Sequence, residues 1–264
     1  SRGRVFFPRA RLPFYGMCAI IDSMNKRGTL TAAVFDLDGT LIDSMRIWQE
    51  VDEEFFARRN MPVPEHYQAE IAHLGFRASA EFTVAKYLPQ ESVPAVLEEW
   101  RAQVAGKYAS ADAERYFKAG AQAYVRALHA AGVRLGVATA SAPELFLPVL
   151  EAGGIRELFS AFTTVDEAGA HKGCTDIFFL SAQKLGAEPA QCAVFEDNLT
   201  ALRAAKRAGM FTVGVFDEAA RDTVPQLMAE ADVFVRTFSE LENYRLFGER
   251  AQREEYVHTE TQSH

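Results

Sequence analysis

Asp36 and Asp38 stand one residue apart at the end of a short apolar run, residues 31–35, and Gly39 and Thr40 follow them. The run reads as a buried strand. Side chains two apart on a strand share a face, so both carboxylates are expected on one side, with Leu37 turned into the core. Gly39 lets the backbone turn sharply close to a ligand. Two neighbouring carboxylates repel, a cost that a cation or phosphate chemistry can put to use. Other segments repeat this placing of reactive groups where a strand ends or a helix begins. Thr139-Ala140-Ser141 closes an apolar run and precedes a helix, where a hydroxyl and free backbone N–H groups suit an anion. Lys172 lies just ahead of another helical stretch. Glu196-Asp197-Asn198 ends the run 192–195. Adjacent strand residues point to opposite faces, so Glu196 and Asp197 can share a site only where the strand breaks into its loop.

The elements that must position these groups alternate. Residues 121–131, 143–152, 175–185 and 199–208 carry helical patterns, and glycines end most of them. Residues 133–139, 162–165, 192–195, 211–216 and 232–235 read as strands. Alternation of this kind predicts a parallel sheet covered by helices on both faces. Between residues 43 and 117 no strand is evident. Ile47, Val51, Phe55 and Phe56 form a helical stripe, Pro62 and Pro64 end it, and residues 65–73, 78–88 and 93–108 are further amphipathic stretches. The expected fold is α/β: a Rossmann-like, three-layer parallel sheet with an inserted all-helical cap. Its core spans 28–43 and 118–248 and its cap 44–117. The insert leaves after the first strand, where open α/β sheets bind ligands, so it is placed to act as a lid.

Composition narrows the classes. The chain has 264 residues, 48% of them hydrophobic, and a net charge of −8. An acidic protein is a poor partner for nucleic acid, and no apolar run approaches the length of a membrane span. Cys18, Cys174 and Cys192 form no CxxC pair and no disulfide framework, which fits a reducing, cytoplasmic setting. Residues 1–27 and 249–264 read as poorly ordered extensions. The first carries Arg2, Arg4, Arg9 and Arg11 without an acid up to residue 21. It reads as an expression remnant or an over-long start before Met17 or Met24, with a transit peptide as the alternative.

Asp36-Leu37-Asp38-Gly39-Thr40 resembles the DxDGT motif of the haloacid dehalogenase-like superfamily. Thr139 with the N–H of Ala140, Lys172, and Glu196-Asp197 resemble its later motifs, in the family's order. Around Lys172, Gly-Cys-Thr stands where the family writes Pro-x-Pro, while Asp176 keeps its spacing. The resemblance runs from about Leu30 to Gly248, and its nearest flavour is the β-phosphoglucomutase-like and phosphoglycolate phosphatase-like subgroup with a helical cap. It implies Asp36 as nucleophile, Asp38 as acid and base, and Thr139, Ala140 and Lys172 around the phosphoryl group. It implies Mg²⁺ held by Asp36, Asp38 through its backbone carbonyl, Asp197 and Glu196, the last directly or through water.

The implied activity is an Mg²⁺-dependent phosphatase that hydrolyses a small phosphate monoester, of sugar phosphate or phosphoglycolate type, through an aspartyl-phosphate. Its expected partner is that ester alone, with no nucleic acid and no membrane, and its expected state is a monomer. A sugar phosphate mutase is the alternative, and a non-catalytic phosphosugar-binding protein a third reading. Mutases of the subgroup carry a His shortly after the first motif, where an offset places Trp48 here, and the cap lacks a clear LxGxSR-like segment. His73 and Arg77, in the nearest such text, are the candidate cap contacts to substrate. True dehalogenases lack an acid at the position of Asp38, which sets dehalogenation aside.

Overall fold

A computed structural model describes residues 29–71, 74–108, 116–243 and 246–247. The expectations for residues 1–27 and 249–264, and for His73, lie outside the described residues. Strand β1, Ala32–Phe35, leads into four helices: α1 (Met45–Ala57), α2 (Tyr67–Ile71), α3 (Phe76–Tyr87) and α4 (Val93–Tyr108). The α/β core then continues through α5 (Ala121–Ala130), β2 (Arg134–Thr139), α6 (Pro143–Ala152), β3 (Ala161–Thr164), α7 (Val165–Ala168) and α8 (Asp176–Lys184). It ends with β4 (Cys192–Glu196), α9 (Leu199–Arg207), β5 (Phe211–Val215), α10 (Val224–Glu230) and β6 (Val233–Val235). All strand pairs are parallel, in the order β3-β2-β1-β4-β5-β6. This is the Rossmann-like sheet with an all-helical cap that the pattern of elements predicts.

The two faces of the sheet follow from strand alternation. Ala33, Phe35, Val137 and Phe195 pack with Val125 and Leu128 of α5. Ala32, Val34, Cys192 and Val194 pack with Ile177 and Phe178 of α8 and Ala201 and Ala205 of α9. Phe35 stacks on Phe195 at 4.4 Å between ring centroids, which fixes β1 against β4 just below the site. In the cap, the stripe Ile47, Val51, Phe55 and Phe56 is fully buried. Phe55 meets Trp100 edge-on and Phe56 meets Tyr67. Among the described residues no helix is long and apolar enough to cross a membrane.

Two linkers join cap and core side by side. Ile42 bridges Phe117 in antiparallel fashion. Asp43 N–H donates to the Tyr116 carbonyl at 2.6 Å, and Lys118 N–H to the Leu41 carbonyl at 2.9 Å. Lys118 also pairs with the buried carboxylate of Asp217, just past β5. Away from the linkers, Arg101 of α4 pairs with Glu144 of α6 at 2.9 Å.

The strand expected over residues 162–165 ends one residue early. Thr164 Oγ1 accepts the Glu167 N–H at 3.2 Å, and this cap starts a helix at Val165. The helix α10 was not legible either, although Pro225 in its first turn is a start signal.

Candidate active site

Strand order brings the separated motifs together. β1 lies between β2 and β4, so Asp36, Thr139 and Glu196 emerge at the carboxyl ends of three adjacent strands, the usual ligand crevice of an open α/β sheet. Asp36 N–H still bonds the Phe195 carbonyl at 3.0 Å, continuing the ladder one residue past β1. After it the chain turns tightly: Gly39 N–H donates to the Ile42 carbonyl, and Thr40 and Ile42 N–H groups to the Leu37 carbonyl. Asp36 and Asp38 therefore sit beyond the strand rather than on one of its faces. The Asp36 carboxylate pairs with Lys172. The Asp38 carboxylate instead accepts the Ser141 hydroxyl at 2.5 Å. Strand alternation does not govern them, because β1 ends at Phe35.

β4 stops at Glu196, so Glu196 and Asp197 can face one site. The Asn198 side chain accepts the N–H groups of Thr200 and Ala201, starting α9 directly after the carboxylates. Glu196 Oε2 accepts from the Lys172 ammonium at 3.0 Å, and Glu196 Oε1 from Asn198 N–H at 3.1 Å. Oxygens of Asp36, Glu196 and Asp197 lie within 4.8 Å of one another. Thr40 ties the two strand ends together. Its hydroxyl donates to Asp197 at 2.8 Å and accepts the Asp197 N–H at 3.1 Å. Gly39 has φ +88°, and a Cβ there would stand 2.5 Å from Asp197 Oδ2. Only glycine meets both conditions at no cost.

Burial pushes the carboxyls of Asp36, Glu196 and Asp197 upward; repulsion from Asp38 adds to the rise at Asp36, from Asp36 at Glu196, and from Glu196 and Asp36 at Asp197, while Lys172 opposes it at all three. Burial alone would lower Lys172, but attraction to Asp36 and Glu196 outweighs that, so the lysine stays charged. In their ionised forms, three buried carboxylates against one ammonium leave a deficit of positive charge. Hard oxygen donors at this spacing suit a divalent cation such as Mg²⁺. The Asp38 carboxylate is not in this cluster. Thr139 is fully buried at the end of β2, and its Oγ1 accepts the Ser141 N–H at 3.0 Å, with Ala140 between them. The structure thus brings Asp36, Asp38, Thr139, Lys172, Glu196 and Asp197 to one end of the sheet. Arg77 is on α3 of the cap, exposed and paired with Glu81 one turn on at 3.6 Å.

Ser141 and Thr40 are site residues that motif reading left without a role. The text Thr139-Ala140-Ser141 held the signal for Ser141, a second hydroxyl two residues past the strand end. No local signal indicates that the Thr40 hydroxyl reaches Asp197.

Comparison with known proteins agrees with this geometry. The family model for haloacid dehalogenase-like hydrolases matches residues 30–209, and the chain belongs to that family. The validoxylamine A 7'-phosphate phosphatase of Streptomyces hygroscopicus subsp. limoneus is 30% identical over 210 residues, 79% of this chain and 94% of that protein. Hexitol phosphatase B of Escherichia coli K12 is 26% identical over 220 residues, 83% of this chain and 97% of that protein. Among solved structures, CbbY from Rhodobacter sphaeroides in complex with phosphate superposes with a TM-score of 0.69 at 23% identity. That match covers 80% of this chain and 96% of that one. The β-phosphoglucomutase of Clostridium difficile gives 0.65 at 19% identity, covering 81% and 96%. These structural likenesses show the shared fold.

Proposed function

Because the chain is a haloacid dehalogenase-like hydrolase, we propose that it is a Mg²⁺-dependent phosphatase of a small sugar phosphate-type monoester, working through an aspartyl-phosphate. The observation that carries the reading is the pairing of two differently held aspartates. Asp36 is buried against Lys172 and the acidic cluster, while Asp38, two residues on, is held by Ser141. A nucleophile and a proton donor need separate environments within reach of one phosphoryl group. The names of the relatives, which are phosphatases of phosphorylated sugar-like compounds, support the substrate class.

The Asp36 carboxylate attacks phosphorus, and the bond to the ester oxygen breaks. Asp38 gives its proton to that oxygen as the alcohol leaves. The resulting carboxylate takes a proton from water, which attacks the phosphorus of the aspartyl-phosphate and releases phosphate, restoring Asp36. Thr139, the Ala140 N–H and Lys172 hold the non-bridging oxygens. Asp36, Asp197 and Glu196, with the Asp38 carbonyl, would hold Mg²⁺, which supplies charge neutralisation between carboxylate and phosphate. Arg77, exposed on the cap, remains the candidate cap contact to substrate.

The test is phosphate release from a panel of small phosphate esters, with Mg²⁺ and with EDTA. Metal-dependent release that disappears in Asp36→Asn, with folding unchanged, is the expected outcome. Interconversion of a sugar 1-phosphate and 6-phosphate without net release would make the protein a mutase. Full activity in Asp36→Asn would refute the nucleophile assignment.

A further inference from the structure

Lys172 is carried by an irregular loop, residues 170–175, between α7 and α8, yet its ammonium must sit between Asp36 and Glu196. The loop reads Ala-His-Lys-Gly-Cys-Thr, with no proline to stiffen it. We infer that His171 and Arg207 are positioning residues that fix this loop and thereby set the place of the Lys172 ammonium. The inference rests on the reading of Lys172 as the group that neutralises aspartate and phosphate.

Three hydrogen bonds define the loop. Cys174 N–H donates to the His171 carbonyl at 2.9 Å, closing a turn with Lys172 at its second position. Gly173 N–H donates to His171 Nδ1 at 3.0 Å. Nδ1 is then the bare nitrogen of the neutral ring, and Nε2 carries the proton. That nitrogen faces Cys174 Sγ at 3.5 Å. The guanidinium of Arg207 donates to the Gly173 carbonyl at 2.7 Å. Both main-chain groups of the residue after Lys172 are therefore held by side chains, one from inside the loop and one from α9. The loop is also packed from both sides. A Cβ on Gly173 would lie 2.8 Å from the His171 ring and 3.1 Å from Thr200 Cγ2.

The origin of the Arg207 contact matters. α9 begins two residues after Asp197, so the helix that starts beside the acidic cluster also grips the lysine loop from its last turn. This sets the lysine and the carboxylates in one frame. His171 and Arg207 are both exposed, so their bonds add little to global stability. Their effect falls on the position of one charge, where a displacement of about 1 Å can cost on the order of 100-fold in rate.

The full chain is assayed with p-nitrophenyl phosphate and Mg²⁺, with Lys172→Met as reference. His171→Ala and Arg207→Met are expected to lower kcat by roughly 10- to 100-fold, with a smaller change in KM and an unshifted melting temperature. His171→Asn places a carbonyl oxygen where Nδ1 stood, and Arg207→Lys restores a donor, so both are expected to recover most of the loss. Wild-type kcat in His171→Ala and Arg207→Met, beside an inactive Lys172→Met, would overturn the inference and leave the phosphatase reading standing. Equal impairment in the conservative and truncating variants would also overturn it. Amide exchange over residues 171–175 reads the same restraint without turnover. Faster exchange of Gly173 N–H in His171→Ala, reversed in His171→Asn, is expected, and unchanged exchange refutes the inference whatever the activity. Absence of release by the wild-type protein from every ester would instead count against the proposed function.

Discussion

Replacing Asp52 with asparagine removes a carboxyl that the cap buries beside an amide donor. Asp52 lies on α1, 4% exposed, one turn from Trp48 and one from the fully buried Phe56. Its hydrogen-bond donor is Gln68 Nε2 on α2, at 3.2 Å. Burial pushes this carboxyl up from 3.8 to about 7; the Gln68 bond opposes the rise and Glu53 adds to it. The sign of the linkage follows. Between these values the unfolded chain has lost the proton and the folded chain keeps it, so stability falls as pH rises. Below the unfolded value the term is fully favourable, and above about 7 it falls no further. At about 1.4 kcal/mol per pH unit, some two units of the window lie above pH 5, giving at most about 3 kcal/mol. Asn keeps the acceptor for Gln68 and carries no charge. Asp52→Asn should therefore gain on the wild type between pH 5 and pH 8. For a chain of this size that is at most about 5–10 °C in midpoint. Thermal or urea unfolding of both proteins at the two pH values measures it. The site carboxylates are common to both proteins and cancel in the difference. A variant-minus-wild-type difference that stays constant from pH 5 to pH 8 would refute the reasoning.

Gly39→Ala sets a methyl group against the Asp197 carboxylate in a backbone conformation that disfavours side chains. Loss of stability on the order of 1–2 kcal/mol, with a larger loss of phosphatase rate, is expected from unfolding and kinetics measured together. Thr40→Val leaves the buried Asp197 N–H without an acceptor and its carboxylate without a donor, costing about 1–3 kcal/mol in urea unfolding. Steady-state kinetics across Mg²⁺ concentrations should also show a raised metal requirement. Ser141→Ala frees the Asp38 carboxylate and should lower kcat roughly 10-fold or more, with the chain equally stable. Unchanged kcat would deny Ser141 a part in holding the acid.

Much of the chemistry was legible in the sequence because it is written in short segments. Asp36-Leu37-Asp38-Gly39-Thr40 and Glu196-Asp197-Asn198 carry their own turn and cap signals, and each follows an apolar run of strand length. The burial stripe of α1 announced the helical insert in the same way. Local periodicity suffices there, since neighbours in sequence decide whether a strand or a helix forms. It could not say where the side chains would go once the strands ended. The shared face expected of Asp36 and Asp38 gave way to two separate settings, one at Lys172 and one at Ser141. Thr40 meets Asp197 across 157 positions of chain, and Arg207 reaches back 34 positions to Gly173. Local patterning along the chain sets which reactive groups end the strands and that helices separate them. Which of these groups meet follows from the strand order of the folded sheet. Parallel strands pair only through crossovers, so the neighbours of β1 are β2 and β4, distant in the chain, and the charge environment of each group is set by what those crossovers bring beside it.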